Sequence, residues 1–378
     1  MNKKQLTVWE AACIITGYGV GGGILAMPYL AEKTSVVLAL VILLAAFAAS
    51  WLLHMMIAEI AKKCGEGAQI VSAFSRFLFR GKAKVPLTIV FFALMAVILV
   101  TNLAAYVAGS ADVIVGMLPM VPPLIAKLVF YIAAASVVLF GLKAVGVSEK
   151  LAVTMIFVLI GLLAAASLFA PLKPLPVSQG TVREALAYYG MAMFSFSAFF
   201  SIPQAVEGLG GDVSKVKKAV FWGMANNFIL IVVIVLCALV ASDGVSEVAM
   251  TGWSRGIGAW AQVVGGLFTL LAMITTYWSI SLALSDIVGE QLRLGRRLCW
   301  LIATLPSLIL SLVNLGGFID FLELAGGAIA IVVAVMVVPA YRNARREVEG
   351  TMLGRYGGAG FQILVVVAYV LMAVGSVM

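Results

Sequence analysis

Long apolar runs follow one another along this chain, and short breaks rich in charged residues, glycine or proline separate them. About 20 apolar residues let a helix cross a bilayer, where only helices and closed barrels satisfy the backbone. The chain is therefore predicted to be an all-α polytopic membrane protein. Its mean hydropathy of +1.13 and its 11% of charged residues exclude a soluble enzyme with one core. The eleven predicted spans are 9–30, 35–61, 85–117, 122–142, 149–170, 181–208, 217–241, 257–289, 297–314, 319–340 and 358–377.

Basic residues are distributed unevenly between these breaks. If the N-terminus is cytoplasmic, 20 of the 25 Lys and Arg residues lie in the cytoplasmic breaks. Such an excess marks the side that faces the cytoplasm. We therefore predict a multi-pass protein of the cell (inner) membrane, with its N-terminus in the cytoplasm and its C-terminus outside. The net charge of +8 follows from this asymmetry and does not indicate a nucleic-acid partner.

The first ten spans fit two inverted five-helix repeats. A unit of five spans crosses the membrane an odd number of times, so a second copy that follows it is upside down. Transporters of this kind interrupt the same helix in each repeat. Here Gly17–Gly23, followed by Pro28, interrupts span 1, and Ser195–Pro203 interrupts span 6. The predicted units are a first repeat (1–170), an inverted second repeat (171–342) and a cytoplasmic loop with an eleventh helix (343–378).

The glycine cluster in span 1 is the strongest local signal. It satisfies G-x-G-x-x-G, but a dinucleotide site also needs a preceding strand and a later acidic residue, and both are missing. Its G-x-x-x-G spacings also suit helix packing. Five glycines in seven residues favour an unwound stretch, because each costs about 1 kcal/mol of helix propensity relative to Ala. We expect the N–H groups of Gly21, Gly22 and Gly23 to bind a carboxylate, and carbonyls from Thr16 to Gly19 to attract a cation.

Spans 6 and 8 supply further candidate residues. In span 6, Ser195, Ser197 and Ser201 could support the break, whereas Phe196, Phe199 and Phe200 form the wall of a side-chain pocket or simply pack. In span 8, the hydroxyls of Thr275, Thr276 and Ser279 share one face. They either bond carbonyls of their own helix or, with carbonyls of span 1, bind Na⁺.

Carboxylates inside spans are costly and are functional candidates by default. Glu59 and Asp286 are the deeper ones on the predicted cytoplasmic side, and they are the candidate proton carriers. His54, the single histidine, is expected to be a packed neutral residue. No P-loop, H-E-x-x-H, G-x-S-x-G or Cys/His ligand set occurs. We therefore predict no enzyme activity, no cofactor and no metal beyond a bound Na⁺.

These motifs resemble those of bacterial aromatic amino-acid permeases, the tryptophan/tyrosine-specific group of the amino acid/auxin permease family in the amino acid-polyamine-organocation superfamily. Trp9–Ala31 is similar to their first helix, with its "GAGMLALP" core. The resemblance extends in order over nearly the whole chain. The further matches are Glu59 and Gly67 at the end of helix 2, Ala105–Gly109 beside "AYISGG", Ser201–Pro203 and Gly208–Asp212 beside "SIP...LGGD", and Ser281–Asp286 beside "LGLFD". The chain departs from the family at Ser197–Phe200, which replaces "GFHG" and loses its histidine.

The resemblance implies a leucine-transporter fold with broken helices 1 and 6, alternating access, and uptake coupled to an ion gradient, usually H⁺. It places the amino acid at Gly21–Gly23 and the helix 6 break, with Tyr106 reaching in from helix 3. Tyr18 and Val20 stand where the family has smaller or branched residues. The pair Thr275-Thr276 after Ala272 also resembles half of the sodium site in sodium-coupled members of this fold.

The predicted function is secondary active import of amino acids, aromatic or other neutral ones, coupled to H⁺ or Na⁺. The protein is expected to act in the lipid bilayer as a monomer. The alternative is a membrane amino-acid sensor that does not transport, but such a protein needs a sizeable partner surface, and the longest loop, 62–84, is short. A channel is disfavoured because a twice-broken repeat suits a closed site at the membrane midplane.

Overall fold

Every element of the computed structural model is a helix in the residues that it describes, which are 5–175, 180–242, 244–245, 249–313 and 335–376. Two short 3₁₀ turns, Gly81–Ala83 and Gly354–Gly357, add to the α-helices. The α-helices are α1 Val8–Gly19, α2 Gly22–Lys33, α3 Val36–Cys64, α4 Ile70–Leu78, α5 Lys84–Met117, α6 Pro123–Leu139, α7 Leu142–Ser167, α8 Val182–Ser195, α9 Ser201–Gly208, α10 Val213–Ala241, α11 Ala249–Ile257, α12 Ala259–Leu292, α13 Arg296–Val313, α14, described over 335–347, and α15 Ala359–Gly375.

The multi-pass prediction is confirmed by the length and hydropathy of these helices. Among the described residues, six helices are long and apolar enough to span a bilayer, and α1 with α2, bent by 58°, passes the same test when the pair is taken together. The apolar helices α6 and α15 are shorter. Both predicted helix breaks are present, in the α1–α2 and the α8–α9 pairs. Residues 319–334 of the predicted tenth span lie outside the described residues.

Three features differ from the sequence-based prediction. The helix α7 begins at Leu142, seven residues before the predicted start of span 5. The short helices α4 and α11 were not predicted. The helix α4 lies within the loop 62–84, and α11 directly precedes α12. The early start of α7 matters most, because it places Glu149 inside a helix.

The two broken helices begin with the same local sequence. The N-caps Thr7 and Thr181 each accept a hydrogen bond from the backbone N–H of a glutamate three residues later, Glu10 and Glu184. Each glutamate side chain in turn accepts from the backbone N–H of its threonine, which completes a capping box. The repeated Thr-Val-x-Glu start supports the equivalence of α1 and α8 in two related halves.

Helix contacts in one half recur when each helix is replaced by its counterpart in the other half, as expected of two inverted repeats. The helix α1 packs against α10, and its counterpart α8 packs against α3. The pairs α5–α13 and α12–α6 are related in the same way. Within the broken helices, α2 packs against α8, whereas α1 packs against α9. The two breaks are thereby brought side by side.

The helix α12 lies at the centre of this arrangement. In its most apolar window 78% of residues are buried, against 33% in α7 and α13. It contacts α1, α5, α7 and α13. Outer helices instead expose large apolar side chains such as Val37, Val41 and Leu44 of α3, as expected for lipid-facing surfaces.

Candidate functional site

The first break is shorter than the glycine cluster that predicts it. The helix α1 continues through Gly19 and α2 begins at Gly22, so that only Val20 and Gly21 lie between them. The backbone N–H of Val20 donates to the Thr16 carbonyl. Gly17 and Gly19 are therefore helical, and their lack of a side chain needs another explanation.

That explanation is the close approach of polar side chains from four other helices. A β-carbon added at any of four glycines would collide with, or press against, one of these side chains. Because glycine alone leaves this room, the cluster creates a polar contact zone inside the membrane-spanning part of the protein. The pairs are Gly17 with Glu149 of α7, Gly19 with Asn227 of α10, Gly21 with Tyr106 of α5, and Gly23 with Ser195 of α8.

The second break spans five residues, Phe196–Phe200, and its backbone groups find local partners. The Ser197 N–H donates to the Phe194 carbonyl, which leaves the Met193 carbonyl free, and the Ser197 hydroxyl takes that position at 3.1 Å. The Ser201 hydroxyl donates to the Ala198 carbonyl at 2.7 Å. These serines support the break and bond their own segment.

His54 of α3 completes the second break. Its Nδ1 lies 2.6 Å from the Ser50 carbonyl and its Nε2 lies 2.9 Å from the Ala198 backbone nitrogen. A carbonyl accepts and a backbone N–H donates, so Nδ1 carries the proton, Nε2 accepts, and the ring is neutral. The ring also stacks on Phe199, with centroids 5.1 Å apart. His54 thus satisfies a backbone donor that the break sets free.

A cavity lies between the two breaks. It is small, about 30 Å³, which is enough for ordered water but not for an amino acid. Of the residues predicted to bind substrate, Phe196, Phe200 and Ser201 do not line it. Phe196 instead packs against Phe47 and Phe228. The lining residues are Tyr18, Gly19, Gly21, Gly22, Gly23, Asn102, Tyr106, Phe194, Ser195, Ser197, Phe199 and Ile280.

Backbone donors face this cavity from the start of α2. Gly21 is the N-cap, and it provides no side-chain hydrogen bond to the first turn. Gly22 is partly exposed, and Gly22 and Gly23 both line the cavity. The first amides of a helix have no partner within the helix and carry its positive dipole end. The Tyr106 hydroxyl lies at the same point, in contact with the Gly22 backbone and with Thr276.

The predicted ion-coupling residues of α12 meet α1 at Gly17. The hydroxyls of Thr275 and Thr276 lie 3.2 and 2.9 Å from the Gly17 carbonyl oxygen and within 3.0 Å of the Ala272 carbonyl oxygen. Thr16 points elsewhere, because its hydroxyl bonds the Ala12 and Gly223 carbonyls. Two carbonyls and two hydroxyls thus form a compact oxygen cluster beside the first break.

Glu149 stands next to this oxygen cluster and was not among the predicted residues. Its side chain is completely buried. Oε1 accepts a hydrogen bond from the Ser279 hydroxyl at 2.8 Å, and Oε2 has no hydrogen-bond partner among the described residues. The predicted span 5 begins at residue 149, so the sequence puts this carboxylate at the end of a span and not inside one.

Glu59 and Asp286, the predicted proton carriers, lie in different surroundings. Glu59 Oε2 accepts from the backbone N–H groups of Met352 and Leu353, and Oε1 lies 3.3 Å from Lys63 Nζ. Such partners are typical of a carboxylate that anchors a loop, here the one before α15. Asp286 lies about three turns beyond Thr276 along α12.

Other residues at the site also escaped sequence reasoning. Asn227 is completely buried beside Gly19, and neither of its side-chain amide atoms has a hydrogen-bond partner in the described part of the chain. Asn102 lines the cavity from α5. Both lie within long apolar runs, Asn102 singly and Asn227 directly after Asn226, and a search for amides inside spans would have found them.

Comparison with known proteins gives consistent matches. The profile of the tryptophan/tyrosine permease family matches residues 4–376. A Haemophilus influenzae protein named tyrosine-specific transport system 1 is 24% identical over 392 residues, covering 95% of this chain and 93% of its own length.

Solved structures match the fold over almost the whole chain. MHP1, a nucleobase-cation-symport-1 family transporter in a closed conformation with bromovinylhydantoin bound, has a TM-score of 0.67 at 12% identity, covering 100% of this chain and 95% of its own. MhsT in complex with L-phenylalanine has a TM-score of 0.62 at 16% identity, covering 99% and 100%. The leucine-transporter type of fold is thereby confirmed.

Proposed function

Because this chain belongs to the tryptophan/tyrosine permease family, we propose that it imports aromatic or other neutral amino acids by alternating access, coupled to a gradient of H⁺ or Na⁺. Family and fold make it a multi-pass membrane transporter. The observation that carries the substrate proposal is the cavity between the breaks, where backbone donors of one break face aromatic side chains of the other.

The amino-acid backbone fits the first break. The carboxylate binds the amides of Gly22 and Gly23 at the positive end of the α2 dipole, where it replaces the Tyr106 hydroxyl as the partner of the Gly22 N–H. The ammonium group binds carbonyls at the end of α1, where the dipole is negative. Tyr18 and Gly19 supply these carbonyls, because the Thr275 and Thr276 hydroxyls already occupy the Gly17 carbonyl.

The side chain of the substrate fits against the second break. Phe194 and Phe199 offer aromatic faces, and Asn102 offers an amide that can bond a phenolic hydroxyl. A volume of about 30 Å³ cannot contain an aromatic amino acid, so binding requires the half-helices to move apart. This requirement is consistent with alternating access, in which the site opens to one side at a time.

Uptake into proteoliposomes containing the purified protein tests this function. We expect counterflow of labelled tyrosine, tryptophan or phenylalanine, and accumulation when an inward H⁺ or Na⁺ gradient is imposed. A sensor would bind these amino acids without counterflow. Binding without counterflow, or accumulation that is indifferent to both gradients, would contradict the symporter proposal.

The variant Gly22→Val tests the carboxylate site. A branched side chain at the first residue of α2 obstructs the amides, and we expect substrate affinity to fall by at least about tenfold. Gly161→Val is the matched control, because a β-carbon at Gly161 meets no atom within 4 Å. Unchanged affinity of Gly22→Val for amino acids in a binding assay would contradict this part of the proposal.

A further inference from the structure

Glu149 is the one described carboxylate that is completely buried beside the first break and takes part in no ion pair among the described residues. It lies where three helices meet, on α7, against Gly17 of α1 and Ser279 of α12. A β-carbon at residue 17 would collide with Oε2 and lie 3.0 Å from the Thr275 β-carbon, so glycine leaves the room that the carboxylate occupies. A buried carboxylate without a counter-charge is unfavourable, so the group is stabilised when it binds a cation.

Within the described ranges, no lysine or arginine forms an ion pair with Glu149. On α1 it faces the Cys13 thiol, and Glu10 on the same helix is paired with Lys143. Lys150, the next residue in α7, is exposed.

The other helices packed against α7 present uncharged groups at this level. Ser279 comes from α12, and Gln204 of α9 donates to the Ser279 carbonyl at 3.1 Å. Asn226 of α10 donates to the Thr16 hydroxyl. The single basic side chains of α6 and α11, Lys127 and Arg255, form no ion pair with Glu149. The three lysines of α10, at positions 215, 217 and 218, are exposed.

We propose that Glu149 is the proton-binding carboxyl that couples this transporter to the pH gradient. The inference rests on the proposed function and specifies its ion. A proton suits this carboxyl, because Glu149 Oε2 has no hydrogen-bond partner among the described residues and can carry a proton without any further ligand.

Proton binding changes the seam between α1, α7 and α12. The Ser279 hydroxyl has one hydrogen and two acceptors in reach, Glu149 Oε1 at 2.8 Å and the Ile14 carbonyl at 3.3 Å. When a proton from the outer solution converts the carboxylate to a carboxylic acid, the charge is removed. The helices α1, α7 and α12 can then pack together around Glu149 without water. When the proton leaves to the inner solution, the carboxylate is charged and needs water again. It then favours a state in which the three helices are further apart at this point. Because Gly17 lies three residues before Val20, this change is transmitted directly to the first break.

The test compares Glu149→Gln with Glu10→Gln in proteoliposomes. Glutamine imitates the protonated acid, so Glu149→Gln should retain tyrosine counterflow at equal pH within about twofold but lose pH-driven accumulation by at least about tenfold. Glu10→Gln removes a carboxylate from the same α1–α7 seam and should still accumulate substrate. A dye in the vesicle lumen should report substrate-induced acidification for the wild type and for Glu10→Gln, but not for Glu149→Gln.

Several results would overturn the proposal. They are pH-driven accumulation by Glu149→Gln at the wild-type level, wild-type accumulation driven by Na⁺ alone, and equal loss of coupling in Glu10→Gln. If Glu149→Gln does not fold, Glu149→Asp keeps the acid, and a pH profile of accumulation identical to that of the wild type would count against the proposal. Wild-type protein without any counterflow would instead refute the proposed transport function itself.

Discussion

The two helix breaks both interrupt the hydrogen bonding of a helix backbone, but different kinds of residue surround them. The break between α1 and α2 has two residues, and glycines around it admit polar side chains from four other helices. The break between α8 and α9 has five residues, three of them phenylalanine, and its own serines and His54 satisfy its backbone. The first break therefore leaves backbone donors facing a cavity, whereas the second break contributes side chains that line the same cavity.

This difference assigns separate tasks to the two halves of the site. Non-helical backbone is tolerated inside a membrane protein only where partners or a cavity receive its polar groups. The second break, whose backbone groups already have partners, can hold a fixed shape, and it suits recognition of a side chain. A break whose amides stay available suits recognition of charged groups that every amino acid carries.

Gly17→Ala is the strongest test of the tight packing at the first break. Its β-carbon would overlap Glu149 Oε2 and lie 3.0 Å from the Thr275 β-carbon, so we expect a loss of about 3 kcal/mol of stability and of most counterflow. Thermal melting in detergent and counterflow measure these effects. Gly161→Ala, in open space, is the control and should match or exceed wild-type stability. Equal behaviour of the two variants would show that Gly17 is not constrained by packing.

His54→Leu tests whether a distant side chain supports the second break. The variant leaves the buried Ala198 N–H without its acceptor, which we expect to cost about 2 kcal/mol in thermal unfolding. His54→Gln restores an acceptor and should recover part of the loss. If the glutamine variant is as unstable as the leucine variant, packing on Phe199 and not the hydrogen bond is the dominant role of His54.

Ser197→Ala should have the smallest effect of the three. It removes one hydroxyl that bonds the Met193 carbonyl, and we expect about 1 kcal/mol of lost stability with near-normal counterflow. A large loss of substrate affinity would mean that Ser197 binds substrate directly, and the contrast between the two breaks would then be weaker than we infer.

Much of the fold can be read from local sequence. Apolar runs predict the spans, and Gly17–Gly23 and Ser195–Pro203 predict the two breaks, because helix propensity and hydrophobicity are properties of neighbouring residues. The start of α7 was predicted seven residues late, since Lys143, Glu149 and Lys150 together look like a solvated loop.

The sequence by itself thus determined that this chain spans a membrane with two interrupted helices and motifs of the aromatic amino-acid permeases. Tertiary structure decided which groups meet at the interruptions. Lys143 is paired with Glu10, 133 positions away, and Glu149 is buried against Gly17 and Ser279. The pairing of Ala198 with His54 crosses 144 positions. Such contacts depend on how helices pack, because the cost of a buried polar group is set by partners that local sequence does not contain.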